Sequence, residues 1–429
     1  MRVPPPGPRS RELTLRLAAV ESPSVDARRA AREKDSGAEQ GAIVYASARG
    51  VNVLDADGNR YVDLAAGFGA LLLGHARAEV ASAVDAQQRR LGLALGDVYG
   101  SEAKVALCER LARLYPSAGA RVMLGTSGAD AVTAALKTAV LATGRPGVIA
   151  FAGGYHGLSH GPLAACGLRP SFREPFAGQL NTHVTFVPYP GKSADVSVAS
   201  VRDALGRGGV GAVLVEPILG RGGCVVPPSG FLASLRAACD EAGALLVCDE
   251  IWTGLGRSGA WLASVQEGVV PDVVCLGKGL GGGRPVSACI GSERSMAAWG
   301  AHGGTTIHTA THFGAPPGCV AALVTLELLE AERLPERARE AGTRWMNRMR
   351  ERTMGLGVHE VRGRGLMVGV ELEGGAARAL AVARRLLVGG WIILTGGAEG
   401  SVLTLTPPLD TEGAVLDAFA DALATALVP

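Results

Sequence analysis

Two charged side chains stand at the ends of apolar runs, where burial is costly to charge. "ALLVCDE" finishes on Asp249 and Glu250, and "DVVCLGKG" places Lys278 29 positions beyond Asp249. A carboxylate at the end of a buried strand needs a cation or a set of donors to offset its desolvation. A buried lysine loses part of its affinity for the proton and becomes a nucleophile toward carbonyl carbon. Asp249 and Lys278 together therefore have the makings of imine chemistry, with a structural ion pair as the plain alternative.

Two other apolar runs end in loops that could serve such a site. After "RVMLG" come Thr126, Ser127, Gly128, Ala129 and Asp130, leading into a helical stretch. Backbone N–H groups and the dipole at a helix N-terminus attract an anion, although Ser127 would serve equally as an ordinary N-cap. After "VIAFA", the segment "GGYHG" carries Tyr155 and His156 on a loop that glycines keep open. Tyr155 offers an aromatic face, either for a planar ligand or for packing. Ligands of open α/β sheets sit at the carboxyl ends of the strands, so these four ends are read together. An anion cup, an aromatic face, an acid and an amine suit one ligand, pyridoxal 5′-phosphate: phosphate, ring, ring nitrogen and aldehyde each find a partner.

A competing motif overlaps the lysine. Gly277, Gly279 and Gly282 satisfy G-x-G-x-x-G, yet Arg284-Pro285 follows where a phosphate-binding helix should run. No Ser or Thr follows Lys278 as a P-loop requires. The chain holds 61 glycines in 429 residues, about twice the usual share, so glycine spacing alone decides nothing.

The elements that must position these residues alternate. Between about 100 and 325, short continuous apolar runs ("RVMLG", "VIAFAG", "GAVLVEP", "ALLVCDE", "DVVCLG") are separated by helical stretches. That pattern marks an α/β fold whose mostly parallel central sheet is covered on both faces. Residues 75–328 read as this large domain. Residues 1–74 supply a polar arm over the first forty positions and then a hairpin turning at Asp57-Gly58-Asn59. Residues 329–429, following one long helix from "CVAALVTLELLEAERL" into "RARE", read as a small α+β domain shared with the N-terminal segment.

Forty-two basic and 40 acidic residues leave a net charge of +2, which supplies no field for nucleic acid or an anionic membrane. No run of 18 apolar residues occurs and Pro4, Pro5 and Pro6 interrupt the N-terminus, so neither a membrane span nor a signal peptide is expected. Eight scattered cysteines, with no C-x-x-C pair and no metal-ligand spacing, read as reduced core residues of a cytoplasmic protein without a metal.

From about residue 45 to 410 the sequence resembles the class III pyridoxal-phosphate aminotransferases, of the aspartate-aminotransferase fold (fold type I). The likeness rests on "DADGNRYVDLAAG", "TSGADAVTAALKTA", "GGYHG", "VEPILGRGG", "VCDEIWTGLGRSG" and "LGKGLGGGRPVSACIG", in that order. It implies that Lys278 forms the Schiff base and Asp249 pairs with the ring nitrogen. Ser127, Gly128 and Ala129 would hold the phosphate. Tyr155 would cover one ring face and Ile251 the other, and His156 and Glu216 would join the cofactor-binding set, Glu216 being the residue that in relatives can pair with a carboxylate-binding arginine as a switch. In "HTATHFGAPPG" it implies that Thr311, or failing that Thr309, reaches the phosphate of a neighbouring subunit in a homodimer. Ala315 departs from the family's Asn there. Arg221 stands where the family commonly has Glu, and Thr404 where many members carry an arginine for the substrate carboxylate. The implied reaction moves an amino group from an amine or ω-amino acid to a keto acid or aldehyde by a ping-pong scheme. A racemase, epimerase or aminomutase, and a non-catalytic cofactor-binding protein, are the alternatives.

Overall fold

A computed structural model describes residues 1–301 and 303–428. Strands β1 (Tyr45–Arg49), β2 (Asn52–Asp55) and β3 (Arg60–Asp63) pair antiparallel in sequence order. The Asp57-Gly58-Asn59 turn joins β2 to β3, with Gly58 at φ +81°, where a side chain would be strained. Buried Asp55 locks the hairpin by accepting from the Asn59 backbone N–H and the Tyr61 hydroxyl, each at 2.8 Å. The first forty residues are more ordered than the polar arm expected of them, forming helices Pro8–Ala18 and Ser24–Ser36. Asp57 pins the first by accepting from the N–H groups of Arg9 and Ser10 at 2.7 and 2.9 Å.

Seven strands build the central sheet: β4 (Arg121–Gly125), β5 (Gly147–Phe151), β6 (Val184–Val187), β7 (Val210–Val215), β8 (Leu245–Asp249), β9 (Val273–Leu276) and β10 (Ser287–Gly291). Their order is β4-β10-β9-β8-β7-β5-β6. The pairs within β5 to β9 are parallel, and β10 runs antiparallel to both β4 and β9. Every residue of β7 and β8 is buried, which is why their sequences run apolar without alternating. The strands that sequence patterning does not single out are β6, half exposed at the sheet edge, and β10, whose "SACIG" mixes small polar and apolar residues. Helix Gly128–Thr143 approaches the sheet through a row of small side chains, Ala131, Ala134, Ala135 and Ala139.

The C-terminal strands are β11 (Val358–Arg364), β12 (Met367–Leu372), β13 (Trp391–Ile392), β14 (Leu394–Gly396) and β15 (Val402–Leu405). Four of them form the antiparallel sheet β11-β12-β15-β14, while β13 pairs in parallel with β3. N- and C-terminal segments thus share one small sheet. The single long helix read from the sequence is two helices, Pro316–Ala331 and Leu334–Arg352. Arg333 between them sits at φ +51°, and Pro335 in the first turn of the second has no N–H with which to continue the first. Among the described residues no helix is long and apolar enough to cross a membrane. All eight cysteines are free, and only Cys108 is not fully buried.

Candidate active site

The carboxyl ends of β5, β7, β8 and β9 open on one cavity of about 270 Å³. Eight of the ten residues singled out in the sequence line it: Gly128, Ala129, Tyr155, His156, Glu216, Asp249, Ile251 and Lys278. Ser127 and Thr311 are not among its walls. Strands β8 and β9 lie side by side with Asp249 in register with Cys275, so the acid and the lysine three residues past Cys275 emerge at the same sheet end.

Lys278 occupies a tight turn at φ +39°, a backbone geometry unfavourable for a residue with a side chain. Its Nζ lies 4.5 Å from the centroid of the Trp252 ring, within cation–π range. Burial draws the amine below the ordinary lysine pKa; the charges of Asp249 and Glu216 counter this and that of Arg221 adds to it. The glycines around Lys278 serve packing: a Cβ on Gly279 would lie 2.3 Å from Leu72 Cδ1. Only glycine lets the turn close on that leucine.

Asp249 is buried, with Oδ2 2.7 Å from His156 Nδ1 and Oδ1 accepting from the Ile251 N–H at 3.1 Å. His156 Nε2 is buried and has no partner among the described residues. Burial pushes the imidazole pKa down, but the hydrogen bond and charge of Asp249, with the charge of Glu216, outweigh it and leave the value above that of an ordinary histidine. Glu216, just past β7, is carried up to about 7 by burial, against the charge of His156 and with that of Asp249. Its Oε1 accepts from the Tyr155 N–H at 2.7 Å and its Oε2 from the Gly220 N–H at 2.9 Å.

Ser127 caps the helix that follows β4. Its hydroxyl accepts from the Asp130 N–H at 3.2 Å, and the Asp130 carboxylate accepts from the N–H groups of Thr126 and Ser127 at 3.0 and 2.9 Å, a capping box. The next two N–H groups, of Gly128 and Ala129, have no acceptor among the described residues; they belong to the first helical turn, whose donors look outward. A Cβ on Gly128 would lie 2.8 Å from Ile251 Cδ1, so a side chain there would displace the tip of Ile251 in the cavity wall.

Thr311 is exposed and away from the cavity of its own chain, and Thr309 gives its hydroxyl to Asp97 at 3.2 Å. Thr404, buried on β15, leaves its hydroxyl without a partner among the described residues and brings no charge. Trp252 was not singled out from the sequence, though it lies inside the quoted "CDEIWTGLGRSG". Its signal is an aromatic ring three residues past a strand-end carboxylate, and its value depends on where Lys278 points, which spacing along the chain does not tell.

A family model described as "Aminotransferase class-III" matches residues 34–427. The chain belongs to the class III aminotransferases. It is 35% identical over 385 residues to the acetylornithine aminotransferase of Methanothermobacter thermautotrophicus, covering 89% of this chain and 93% of that one. It is 39% identical over 386 residues to the acetylornithine aminotransferase of Mycolicibacterium smegmatis, covering 89% and 92%. Among solved structures it is similar to the ornithine aminotransferase of Toxoplasma gondii, which has pyridoxal phosphate at partial occupancy in its active site: TM-score 0.82, 29% identity, 93% of each chain covered. This is a pyridoxal-phosphate-dependent aminotransferase of fold type I, and amino transfer stands over the racemase, aminomutase and non-catalytic readings. The donor set fits the cofactor. The cavity of this aminotransferase combines N–H groups of a helix N-terminus, a buried carboxylate braced by an imidazole, and an amine with a lowered proton affinity.

Proposed function

We propose that Lys278, Asp249, Gly128 and Ala129 hold pyridoxal phosphate in this cavity, and that the amino donor is an amino acid with a distal amine, the kind named in the acetylornithine and ornithine relatives. When bound, the cofactor supplies an electron sink that makes a proton on the donor's amine-bearing carbon removable. The Gly128 and Ala129 N–H groups bind the phosphate. Asp249, oriented by His156, keeps a proton on the ring nitrogen, while Tyr155 and Ile251 supply walls for a flat ring. Lys278 Nζ, its pKa lowered chiefly by burial, would accept the proton from the donor's amine-bearing carbon and give it up to the carbon that bore the cofactor's aldehyde, ending in its starting protonation state. Donor and acceptor use the one cavity in turn. The observation that carries this reading is that the Lys278 amine and the Asp249 carboxylate, distant in sequence, line a single cavity.

The working unit in this reading is a cytoplasmic homodimer. Exposed Leu95, Val98 and Tyr99 offer an apolar surface, Leu158 is half exposed although it lines the cavity, and free buried cysteines suit a reducing compartment. Thr311 then serves the phosphate of the partner subunit. Offering the holoenzyme N-acetylornithine, ornithine and a simple ω-amine, each with a keto acid, tests the donor; no carbonyl product from either amino acid would overturn that assignment. Mixing Lys278→Ala with Thr311→Ala chains tests the dimer: hybrids regain one intact site, and no recovery on mixing would sink the shared-site arrangement.

A further inference from the structure

Against Tyr155, a wall of the cavity, lies a cation that no acidic side chain neutralises among the described residues. Glu216 fastens two loops at once, one through the Tyr155 N–H and one through the Gly220 N–H. Arg221 follows Gly220, and its carbonyl accepts from the Gly397 N–H at 2.8 Å, which fixes its backbone. Its guanidinium carbon lies 4.5 Å from the centroid of Tyr155 and 5.9 Å from that of Phe172. Tyr155 lines the cavity, so one residue touches the reaction space and bears the arginine on its ring. Arg221 is exposed and makes neither an ion pair nor a side-chain hydrogen bond among the described residues. Its charge is nonetheless felt at Lys278. A guanidinium steadied by stacking, with its fork of N–H donors uncommitted, matches a carboxylate bidentately.

We propose that Arg221, stacked on Tyr155 and positioned through Glu216, receives the carboxylate of the substrate, so that efficient donors and acceptors of this enzyme are acids. The inference rests on this cavity being the active site. An arginine that merely rigidifies the loop would affect all substrates alike; one that binds carboxylate separates acids from neutral analogues.

The test compares the wild-type holoenzyme with Arg221→Gln and Arg221→Lys. KM and kcat are measured with pyruvate and with propanal as acceptors, and calorimetry follows binding of glutarate, a dicarboxylate that cannot react. Loss of a charge-assisted bidentate contact should raise KM for pyruvate about 10- to 100-fold in Arg221→Gln. KM for propanal should stay within about twofold of wild type. Glutarate affinity should fall in step with pyruvate, and Arg221→Lys should lie between. Equal changes for pyruvate and propanal, or glutarate affinity unaltered by Arg221→Gln, would overturn the proposal. A wild type inactive with every amine and acceptor would instead overturn the distal-amine reading, while the glutarate titration would still read Arg221.

Discussion

Asp249 and Glu250 are adjacent, both almost wholly buried, and their surroundings use them in opposite ways. Glu250 is closed in: its oxygens accept from the N–H groups of Ala263 and Ser264 at 3.0 and 2.7 Å and from the Thr253 hydroxyl. Burial lifts its pKa and those donors hold it down. Asp249 faces a cavity, held by an imidazole whose other nitrogen has no partner among the described residues and sharing that cavity with an amine that lies over an aromatic ring. A buried charge is therefore no sign of chemistry by itself. The sign is hydrogen-bonding capacity left over next to open space, which a purely structural network uses up.

The sharpest way to break that contrast is Lys278→Ala. It should cost about 10⁴-fold in kcat while leaving the folded state intact, since it removes the base but no structural hydrogen bond; steady-state kinetics alongside circular dichroism checks both. Glu250→Ala should do the reverse. Stranding three buried donors should destabilise the protein by about 3 kcal/mol, with turnover per folded molecule near wild type. A loss of kcat without a fall in Tm would erase the distinction between the two carboxylates.

Asp249→Asn keeps the shape and removes the charge, and should lower kcat about 10²-fold with modest change in Tm. Gly128→Ala puts a methyl against Ile251 Cδ1 in the cavity wall, and should weaken cofactor binding about tenfold with little effect on stability, measured by titrating the apoenzyme with pyridoxal phosphate.

The smallest effect concerns Glu216. Its folded pKa of about 7 lies above the ordinary glutamate value of 4.5, so the folded protein binds an extra proton between those values. The associated stability is full below about pH 4.5 and is lost as pH rises through about 7. Glu216→Gln should remove that decline, and the variant should gain on wild type by on the order of 1 kcal/mol between pH 5 and 8. Denaturant unfolding across that range reads it directly, and parallel curves would show that Glu216 is ionised throughout.

Much of the site is legible in the sequence because strand ends announce themselves locally. Each apolar run stops at a polar residue, and Asp249, Lys278, Gly128, Tyr155 and Glu216 all stand at or just past such stops. Other features leave no local trace. Strand β10 is buried by its place between β4 and β9 and not by its composition, so periodicity misses it. The break at Arg333 sits inside an otherwise continuous helical pattern, where only Pro335 hints at it. Trp252 acquires a role only once the Lys278 amine lies over its ring.

The sequence by itself determined most of the strands and helices around the site, and which side chains could handle an anion, an acid and an amine. Hydrophobic periodicity, caps and turn residues act over a few positions, so one chain suffices to read them. Tertiary structure alone decided which of those side chains share a space. The pairing of β8 with β9 brings Asp249 and Lys278 to one sheet end, and the Glu216 hydrogen bonds set Arg221 on Tyr155. Contacts of that kind join residues tens of positions apart and follow from the order in which strands assemble, which no local pattern encodes.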